Sequence, residues 1–166
     1  MTRKCFYSFH YKPDNWRVST IRNIGSVEGN KPASDNDWET VTSGGDSKIK
    51  KWIEDQMKGR TCTVILAGSN SADRKWINYE IKESWNKGKG VLVIFIHKIK
   101  NSRGEQSSKG GNPLYYVTHG PSGKRLSTIA KAYDPPRETS KGVYSYIENN
   151  IEDWIEDAIQ IRNAND

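Results

Sequence analysis

Two continuous apolar runs constrain the fold of this 166-residue chain more than any other feature. The runs are "TCTVILAG" at 61–68 and "GVLVIFIH" at 90–97, and both are rich in β-branched residues. Runs of this kind predict strands that are covered on both faces, as in a parallel sheet. The segment between them, 71–88, has helical periodicity, with Ser71 as its expected N-cap, and a helix is the usual crossover between parallel strands. The chain is therefore predicted to be an α/β protein.

The segments before residue 60 continue this alternation of strands and helices. Residues 4–10, "KCFYSFH", predict a first strand. A helix is expected from Asp14 to Asn23, with Asp14 as its N-cap and Gly25 beyond its end. Residues 26–44 are ambiguous and predict at best a short strand near 38–41. A second helix, capped by Asp46 or Ser47 and stopped by Gly59, should bury four side chains, namely Ile49, Trp52, Ile53 and Met57.

The second half of the chain is predicted to belong to the same single domain, 1–166. Apolar residues from 143 to 159 recur at three- and four-residue steps and predict a final helix. The segment 98–140 is rich in Gly, Ser and Lys, and is predicted to be a partly flexible insertion with a short strand at 114–119. Its stretch 98–131, the basic segment, holds seven Lys and Arg residues against one acid, Glu105. Such a segment is usually a solvated loop, but it can also bind phosphates or nucleic acid.

The compartment expected for this chain is the cytoplasm. The longest apolar run, at 91–96, is too short to cross a membrane. The N-terminal residues lack the apolar region of a signal peptide. Cys5 and Cys62 fall in predicted buried strands, where unpaired thiols in a reducing compartment are the expected state, although a disulfide or a reactive thiol stays open.

The helix that contains "RKWINYEIKESW" at 74–85 has an unusual edge. A normal core-facing stripe is formed by Ile77, Ile81, Ser84 and Trp85. Glu80 falls at the shoulder of that stripe, with Trp76 one turn before it. From the spacing alone, a glutamate at a helix edge is most often a solvated surface group.

The rim of the predicted sheet gives Glu80 a second interpretation. In open parallel sheets, ligands bind beyond the carboxyl ends of the strands. These ends are "SFHY" after the first strand and "AGSNS" after the strand at 61–68, and the Glu80 helix begins beside them. The candidate site at this rim comprises Ser8, Phe9, His10, Ser69, Trp76 and Glu80.

Several chemistries are excluded by what this rim lacks. The chain has no G-x-G-x-x-G, no G-x-x-x-x-G-K-[ST] and no G-x-S-x-G, and its three histidines are isolated, so no metal site is predicted. The acidic pair of a phospho-acceptor domain and the hydroxyl-rich phosphate loop of an FMN-binding flavodoxin are also missing after the first strand.

One carboxylate without a partner still suffices for one kind of glycosidic cleavage. An O-glycosidase normally needs two carboxyl groups, because one must protonate the leaving oxygen. The nicotinamide of NAD⁺ leaves as a neutral molecule from a cationic ring, so it needs no acid. One fixed carboxylate, here Glu80, can stabilise the oxocarbenium-like ribose, and an aromatic wall such as Trp76 or Phe9 can hold the planar base.

The residues named above resemble those of a known family. "FYSFHY" followed by the Trp-x-x-x-Glu helix "KWINYEI" resembles the TIR domain, in whose NAD-cleaving members the matching glutamate is catalytic. The chain is still more similar to the TIR-like ThsB proteins of bacterial Thoeris anti-phage systems. That similarity is carried by "FYSFHYKPDNWRVSTIRN", "VILAGSNSADRKWINYEI", "GGNPL" and "WIEDAI", in the expected order over nearly the whole chain.

The resemblance implies a flavodoxin-like TIR fold and an enzyme that uses NAD⁺ as its substrate, with no separate cofactor. The implied products are nicotinamide and a cyclised or conjugated ADP-ribose signal, which activates a separate effector after a phage-derived trigger. By position, Glu80 would be the catalytic residue, Trp76 a pocket wall, and residues 8–10 the pocket floor. Animal TIR NADases tend to carry basic residues where this chain has His10 and Tyr11, so Arg74 or the basic segment would have to contact the diphosphate.

Two other classes of function stay open at this point. Many TIR domains are non-catalytic adaptors that work by self-association, and a homo-oligomer is expected in either case. The basic segment could instead bind nucleic acid, but it lacks interleaved aromatic residues except at Tyr115 and Tyr116, so no nucleic-acid partner is predicted. No membrane partner is predicted either, because the longest apolar run is too short to cross a membrane.

Overall fold

Five parallel strands form one sheet within residues 3–29 and 43–165, the parts of the chain that this computed structural model describes (for Lys12, only the backbone). Their order across the sheet is β2-β1-β3-β4-β5, which is the flavodoxin-like order. The predicted α/β class is confirmed. The strands are β1 (Arg3–Ser8), β2 (Val27–Gly29), β3 (Cys62–Ala67), β4 (Gly90–Phe95) and β5 (Ala132–Tyr133).

Helices cover both faces of this sheet. One face packs on α1 and α4, and the opposite face packs on α2 and α3, together with short 3₁₀ turns from the basic segment. The described helices of at least three turns are α1 (Tyr11–Arg22), α2 (Asp46–Met57), α3 (Lys75–Asn86) and α4 (Ser140–Asn163). None of the helices in the described ranges combines the length and apolarity needed to cross a membrane.

The two central strands are buried along their whole length, as their sequences predict. Every residue of β3 and β4 is buried, and the two strands pair in parallel from Cys62 opposite Gly90 to Ala67 opposite Phe95. Gly90 is needed where α4 crosses, because a Cβ atom there would lie 2.9 Å from the backbone nitrogen of Ile159. The predicted final helix is also confirmed, and it buries Val143, Ile147, Ile151, Ile155 and Ala158.

The predicted N-cap of the first helix is wrong. Helix α1 begins at Tyr11 and His10 takes the N-cap position, so Asp14 lies inside the first turn, where its N–H donates to the His10 carbonyl at 3.2 Å. The buried Asp14 carboxylate instead accepts a hydrogen bond from Arg17 at 3.2 Å. Arg17 is itself held by hydrogen bonds to the carbonyls of Ile99 and Glu105, which are far away in the sequence. Local sequence spacing does not reveal such contacts.

The predicted caps of the next two helices are wrong for a similar reason. Helix α2 follows Gly45, whose φ of 84° favours glycine, and Asp46 is already its first residue. The Asp46 carboxylate pairs with Lys75 at 2.6 Å instead of capping. Ser71 does not cap α3, which begins at Lys75; its hydroxyl accepts a hydrogen bond from the Gly68 N–H at 2.8 Å and closes the turn after β3.

The second strand lies in a part of the chain whose pattern is ambiguous. Strand β2 pairs with residues 3–5 of β1 and has only three residues, too few to show an alternating pattern. The stretch 38–41, where a short strand is expected from the sequence, lies outside the described residues.

The segment 98–139 contributes to the core instead of lying in solvent throughout. The buried side chains that it adds to the α3 face are Leu114, Val117, Leu126 and Ala130. The strand expected at 114–119 is wrong: Pro113–Tyr116 is a 3₁₀ helix, because Asn112 caps it by accepting from the Leu114 N–H at 3.0 Å. Strand β5 at the end of the segment supplies the fifth member of the sheet.

Both cysteines are free and buried, as expected for core thiols. Cys5 and Cys62 are direct neighbours in the register of β1 and β3. Burial, together with the adjacent Cys5 thiol, raises the pKa of Cys62 well above its ordinary value, so this thiol is kept protonated and unreactive.

Candidate active-site pocket

A pocket of about 420 Å³ opens where β1 ends, between the helices of the two faces. Five of the residues predicted for the site line it, namely Phe9, His10, Arg74, Trp76 and Glu80. Further described lining residues come from β1 (Phe6, Tyr7), α1 (Tyr11, Arg22), α2 (Trp52, Ile53) and α3 (Lys75, Ile77). The volume is in the range of pockets that bind small ligands and cofactors.

Glu80 is buried in this pocket and is not a solvated edge residue. Its side chain is 8% exposed, and its Oε1 accepts a hydrogen bond from the Ser8 hydroxyl at 2.8 Å. The shoulder of the α3 stripe faces the end of β1, and that contact takes the carboxyl group out of water. Among the described residues that line the pocket, Glu80 is the only one with a carboxyl group.

The environment of Glu80 disfavours its charge while the pocket is empty. Burial raises the pKa of Glu80 to about 8, and the hydrogen bond from Ser8 offsets this only in part. The carboxyl group is therefore mostly protonated at neutral pH. A cation placed beside it would favour the ionised form, because opposite charges at short range lower the pKa of a carboxyl group.

His10 and Arg74 form a pair at the mouth of the pocket. Arg74 Nη2 donates to His10 Nε2 at 2.6 Å, which requires that Nε2 carries no proton. Burial and the positive charge of Arg74 both lower the pKa of His10, so the ring is neutral at pH 7. Arg74 itself is exposed and occupies the N-cap position of α3.

Aromatic side chains form one wall of the pocket. Trp76 is half-buried and packs edge-on against Tyr79, with ring centroids 5.6 Å apart. The Lys75 ammonium lies 4.9 Å from the centre of the Trp76 ring and is tied to Asp46 of α2. Trp52 of α2 lines the same cavity. These flat surfaces suit a planar base.

The pocket lining also includes a cation that the sequence does not indicate, Arg22 of α1. The Arg22 guanidinium lies 5.4 Å from the centre of the Tyr7 ring and 5.8 Å from that of Phe9. Burial lowers the pKa of Arg22. A basic residue in the last turn of a helix is common for reasons of helix electrostatics, so its position carries no signal in the sequence.

Two predicted site residues are absent from the described pocket lining, Ser8 and Ser69. Ser8 still reaches the site through its hydrogen bond to Glu80, whereas Ser69 lies apart from it. The basic segment covers the turn that contains it: a Cβ atom built on Gly110 would lie 2.5 Å from the Ser69 carbonyl oxygen and 2.7 Å from that of Gly68. Only glycine allows this approach. The role of Ser69 in the site therefore stays a prediction from the sequence.

The basic segment is also tied to α1. The buried Arg17 side chain donates to the Ile99 carbonyl at 2.6 Å and to the Glu105 carbonyl at 3.0 Å. Gly68 allows the Asp14 carboxylate to lie against the turn after β3, since a Cβ atom there would clash with Asp14 Oδ2 at 2.2 Å. The start of the segment is thus fixed beside the rim of the sheet.

The charges of the basic segment are partly neutralised by acids elsewhere in the fold. Three of its lysines form ion pairs, which are Lys98 with Glu138, Lys109 with Asp134 and Lys131 with Asp157. Lys124 and Arg125 line a separate groove beside the end of α4. The described lining of the Glu80 pocket includes none of the seven basic residues of this segment.

The remaining histidines take no part in the pocket lining that the structure describes. His97 is buried at the end of β4, where burial lowers its pKa. His119 Nδ1 accepts a hydrogen bond from Trp85 Nε1 at 2.9 Å in the core. In the described ranges, no three His, Cys, Asp or Glu residues gather closely enough to hold a metal ion.

Comparisons with known proteins show the family of this chain. Residues 6–101 match the family described as "Thoeris protein ThsB, TIR-like domain", which is more than half of the chain and includes the end of β1, the described pocket lining and α3. The chain is also 32% identical over 122 residues to a Bacillus cereus (strain MSX-D12) protein named "Putative cyclic ADP-D-ribose synthase ThsB1". That alignment covers 70% of this chain and 64% of the relative, so the chain spans less than two thirds of the relative's length. On the evidence of this match and of the buried Trp-x-x-x-Glu site at the end of β1, the chain belongs to the ThsB family of TIR-like Thoeris proteins.

Proposed function

We propose that this chain is an anti-phage TIR enzyme that cleaves the bond between nicotinamide and ribose in NAD⁺. The products are nicotinamide and an ADP-ribose-type second messenger, cyclic or conjugated, that activates a partner effector. The observation that carries this proposal is the burial of Glu80 at the end of β1, where it accepts a hydrogen bond from Ser8 inside an aromatic pocket.

The reaction needs little from the protein beyond this carboxylate. The bond between ribose C1′ and the pyridinium nitrogen breaks with both electrons going to nitrogen, so nicotinamide leaves neutral. The ribose becomes an oxocarbenium-like cation, which the fixed Glu80 carboxylate stabilises electrostatically. A nucleophile then adds at C1′ and loses a proton. Water in this role gives ADP-ribose, and a nucleophilic atom of the same molecule gives a cyclic product.

The raised pKa of Glu80 fits a site that charges when its ligand arrives. Burying a neutral carboxyl group in the empty pocket costs less free energy than burying a carboxylate. The positively charged nicotinamide ring of NAD⁺ would favour loss of that proton, so the ionised form is produced where it is used. The Ser8 hydroxyl keeps the carboxyl group oriented in both states.

The aromatic wall and the mouth of the pocket have supporting roles in this proposal. Trp76 and Phe9 hold the planar base, and the Arg74–His10 pair stands at the entrance, where it can contact a phosphate. NAD⁺ is the substrate, and no separate cofactor is required.

The signalling half of the proposal rests on the relative's name, which describes a synthase of cyclic ADP-D-ribose. A diffusible nucleotide links the enzyme to its effector without a protein–protein contact. We place the enzyme in the cytoplasm, as a homo-oligomer that a phage-derived trigger switches on, with neither a membrane nor a nucleic acid as partner.

The test compares two substitutions on α3. Purified protein is incubated with NAD⁺, with and without extract of infected cells, and nicotinamide and nucleotide products are resolved by mass. Glu80→Gln should lower nicotinamide release at least about a hundredfold, as expected for the loss of a principal electrostatic group. The matched control is Glu83→Gln, which changes a surface carboxylate paired with Lys87 and should keep its activity.

Nicotinamide release by Glu80→Gln at the rate of the unchanged protein would refute the assignment of Glu80. If the chain is instead a non-catalytic adaptor, no condition will yield nicotinamide, and Glu80→Gln will protect cells from phage as well as the unchanged protein does.

A further inference from the structure

The pocket that contains Glu80 extends to both faces of the sheet. Tyr7 and Ser8 are consecutive strand residues, so their side chains point to opposite faces. Ser8 contacts Glu80 on the α3 face, whereas Tyr7 packs in the cluster of α1 and α4 and lies beneath Arg22. Since Glu80 and Arg22 line one cavity, that cavity bends around the end of β1. Its acid therefore lies on the α3 face of the sheet, and its Arg22 cation lies on the α1 face.

The three cationic side chains in the described lining of this cavity, Arg22, Arg74 and Lys75, differ in their surroundings. Lys75 is exposed and paired with Asp46 at 2.6 Å. Arg74 is exposed and donates to the neutral His10 ring. Arg22 is half-buried, and its guanidinium lies near the Tyr7 and Phe9 rings. Of the three, Arg22 is the cation that lies close to two aromatic rings.

An arginine in such a place has the properties of a phosphate ligand. The guanidinium is planar, weakly hydrated and always charged, and it binds two phosphate oxygens at once. The rings that hold it reduce the conformational entropy that binding would otherwise cost. A dinucleotide whose cationic end lies at Glu80 would present its diphosphate farther along the same cavity.

We propose that the Arg22 end of the cavity is a diphosphate subsite, in which the Arg22 guanidinium binds the pyrophosphate of the dinucleotide while its ribosyl-nicotinamide end lies at Glu80. Arg22 then acts as a positioning residue: it sets how far the ligand enters, and hence where ribose C1′ stands relative to Glu80. The identity of the ligand rests on the proposed function, whereas the subsite itself is tested by binding alone.

The test measures the affinity of the full chain for ADP-ribose by calorimetry at low and high salt. Arg22→Met keeps the aliphatic stem on Tyr7 and Phe9 but removes the charge, and it should weaken ADP-ribose binding at least tenfold. Arg22→Lys keeps the charge but lacks the planar guanidinium, and its affinity for ADP-ribose should lie between those of the unchanged protein and of Arg22→Met. The affinity of the unchanged protein should decrease with salt, and this dependence should be smaller in Arg22→Met, which a purely structural role of Arg22 would not produce.

Two further variants serve as comparisons. Arg162→Met removes another half-buried arginine, whose Nε donates to the Trp85 carbonyl at 2.8 Å on the far side of the fold, and should bind ADP-ribose normally. Arg74→Met removes the exposed arginine at the mouth and should weaken binding less than Arg22→Met does. Melting temperatures report whether each variant is folded, and Arg22→Lys decides the question if Arg22→Met is not.

Several results would overturn the proposal. They are unchanged ADP-ribose affinity and salt dependence in both Arg22 variants, a loss confined to Arg74→Met, and no ADP-ribose binding by the unchanged protein. Failure of the proposed function has a different signature: Arg22-dependent binding of ADP-ribose would persist, but nicotinamide would never be released from NAD⁺.

Discussion

The Ser8 hydroxyl donates a hydrogen bond of 2.8 Å to Glu80 Oε1, although 72 positions separate the two residues. Ser8 ends the first strand, and Glu80 lies in the second turn of α3. Both side chains are buried. The bond fixes the one carboxyl group of the described pocket lining in place and offsets part of the rise in its pKa that burial causes, so activity and stability should both depend on the protonation of Glu80.

Nicotinamide release should depend on pH in a way that Glu80 sets. Since the ionised carboxylate is the active form and the pKa of Glu80 in the empty pocket is about 8, kcat/KM should rise from about pH 6, reach half of its maximum near pH 8 and level off above about pH 9. The measurement is initial rate against pH at low NAD⁺ concentration. A profile that is flat or falls over this range would show that the ionised form of Glu80 does not limit the reaction.

The same carboxyl group should make the protein less stable as the pH rises. The folded pKa of Glu80 lies above its unfolded value near 4.5, so between these two pKa values the folded state holds the proton more firmly. The free energy of unfolding should therefore fall from about pH 4.5 to about pH 8, by roughly 3–5 kcal/mol from this residue. Urea unfolding at pH 5 and pH 8.5 should show that Glu80→Gln loses less stability than the unchanged protein. Equal losses would mean that Glu80 is ionised in the folded state at both pH values.

Trp76 and Trp85, two and a half turns apart on α3, should respond differently to substitution. Trp85 is fully buried and bonded to His119, so Trp85→Ala should cost about 3–5 kcal/mol of stability. Trp76 is half-buried, so Trp76→Ala should cost only about 1–2 kcal/mol while lowering NAD⁺ turnover at least tenfold through loss of the pocket wall. Thermal melting is measured beside turnover. Equal destabilisation by the two substitutions would make Trp76 a core residue.

Two adjacent glycines offer a test of how the basic segment is seated. Gly110→Ala should cost about 1–3 kcal/mol, because the new methyl group would press on the carbonyls of Gly68 and Ser69. Gly111→Ala is the matched control, since its methyl group would meet the Ala72 side chain at 3.4 Å, an ordinary contact. If both variants melt at the temperature of the unchanged protein, the segment does not rest on the turn after β3.

The basic segment should not bind nucleic acid. Lys109 is paired with Asp134. Lys124 and Arg125 are exposed beside the end of α4, and the Arg125 guanidinium carbon lies 3.7 Å from the centre of the Tyr115 ring. Because these three residues lie outside the described lining of the Glu80 pocket, a triple substitution to neutral residues should lower assembly and leave NAD⁺ turnover and melting temperature nearly unchanged. Micromolar binding of a random oligonucleotide that falls steeply with salt, and is lost in the triple variant, would establish the opposite.

Patterns that repeat along the chain are predicted well from the sequence. The apolar runs that became β3 and β4 need both faces covered, and that requirement alone implies a parallel sheet. The three- and four-residue steps of α4 define its buried face without knowledge of its partner. The same periodicity places Glu80 and Trp76 on one edge of α3, so the candidate site was within reach of the sequence.

Features that depend on residues far away along the chain could not be predicted from the sequence. Asp14 has the spacing of an N-cap, but the turn that it lies in is bound through Arg17 to carbonyls some 90 positions away. Arg22 belongs to the pocket only because α1 packs back across Tyr7 and Phe9.

The sequence by itself determined the class of fold, the central strands and the identity of the candidate acid. Only the tertiary structure decided that Glu80 is buried, that Ser8 holds it, and that Ser69 lies under the basic segment instead of in the pocket. The physical reason is that periodicity reports which side of an element avoids water. Burial of a charge and the pKa that follows from it depend on which groups other elements bring against it.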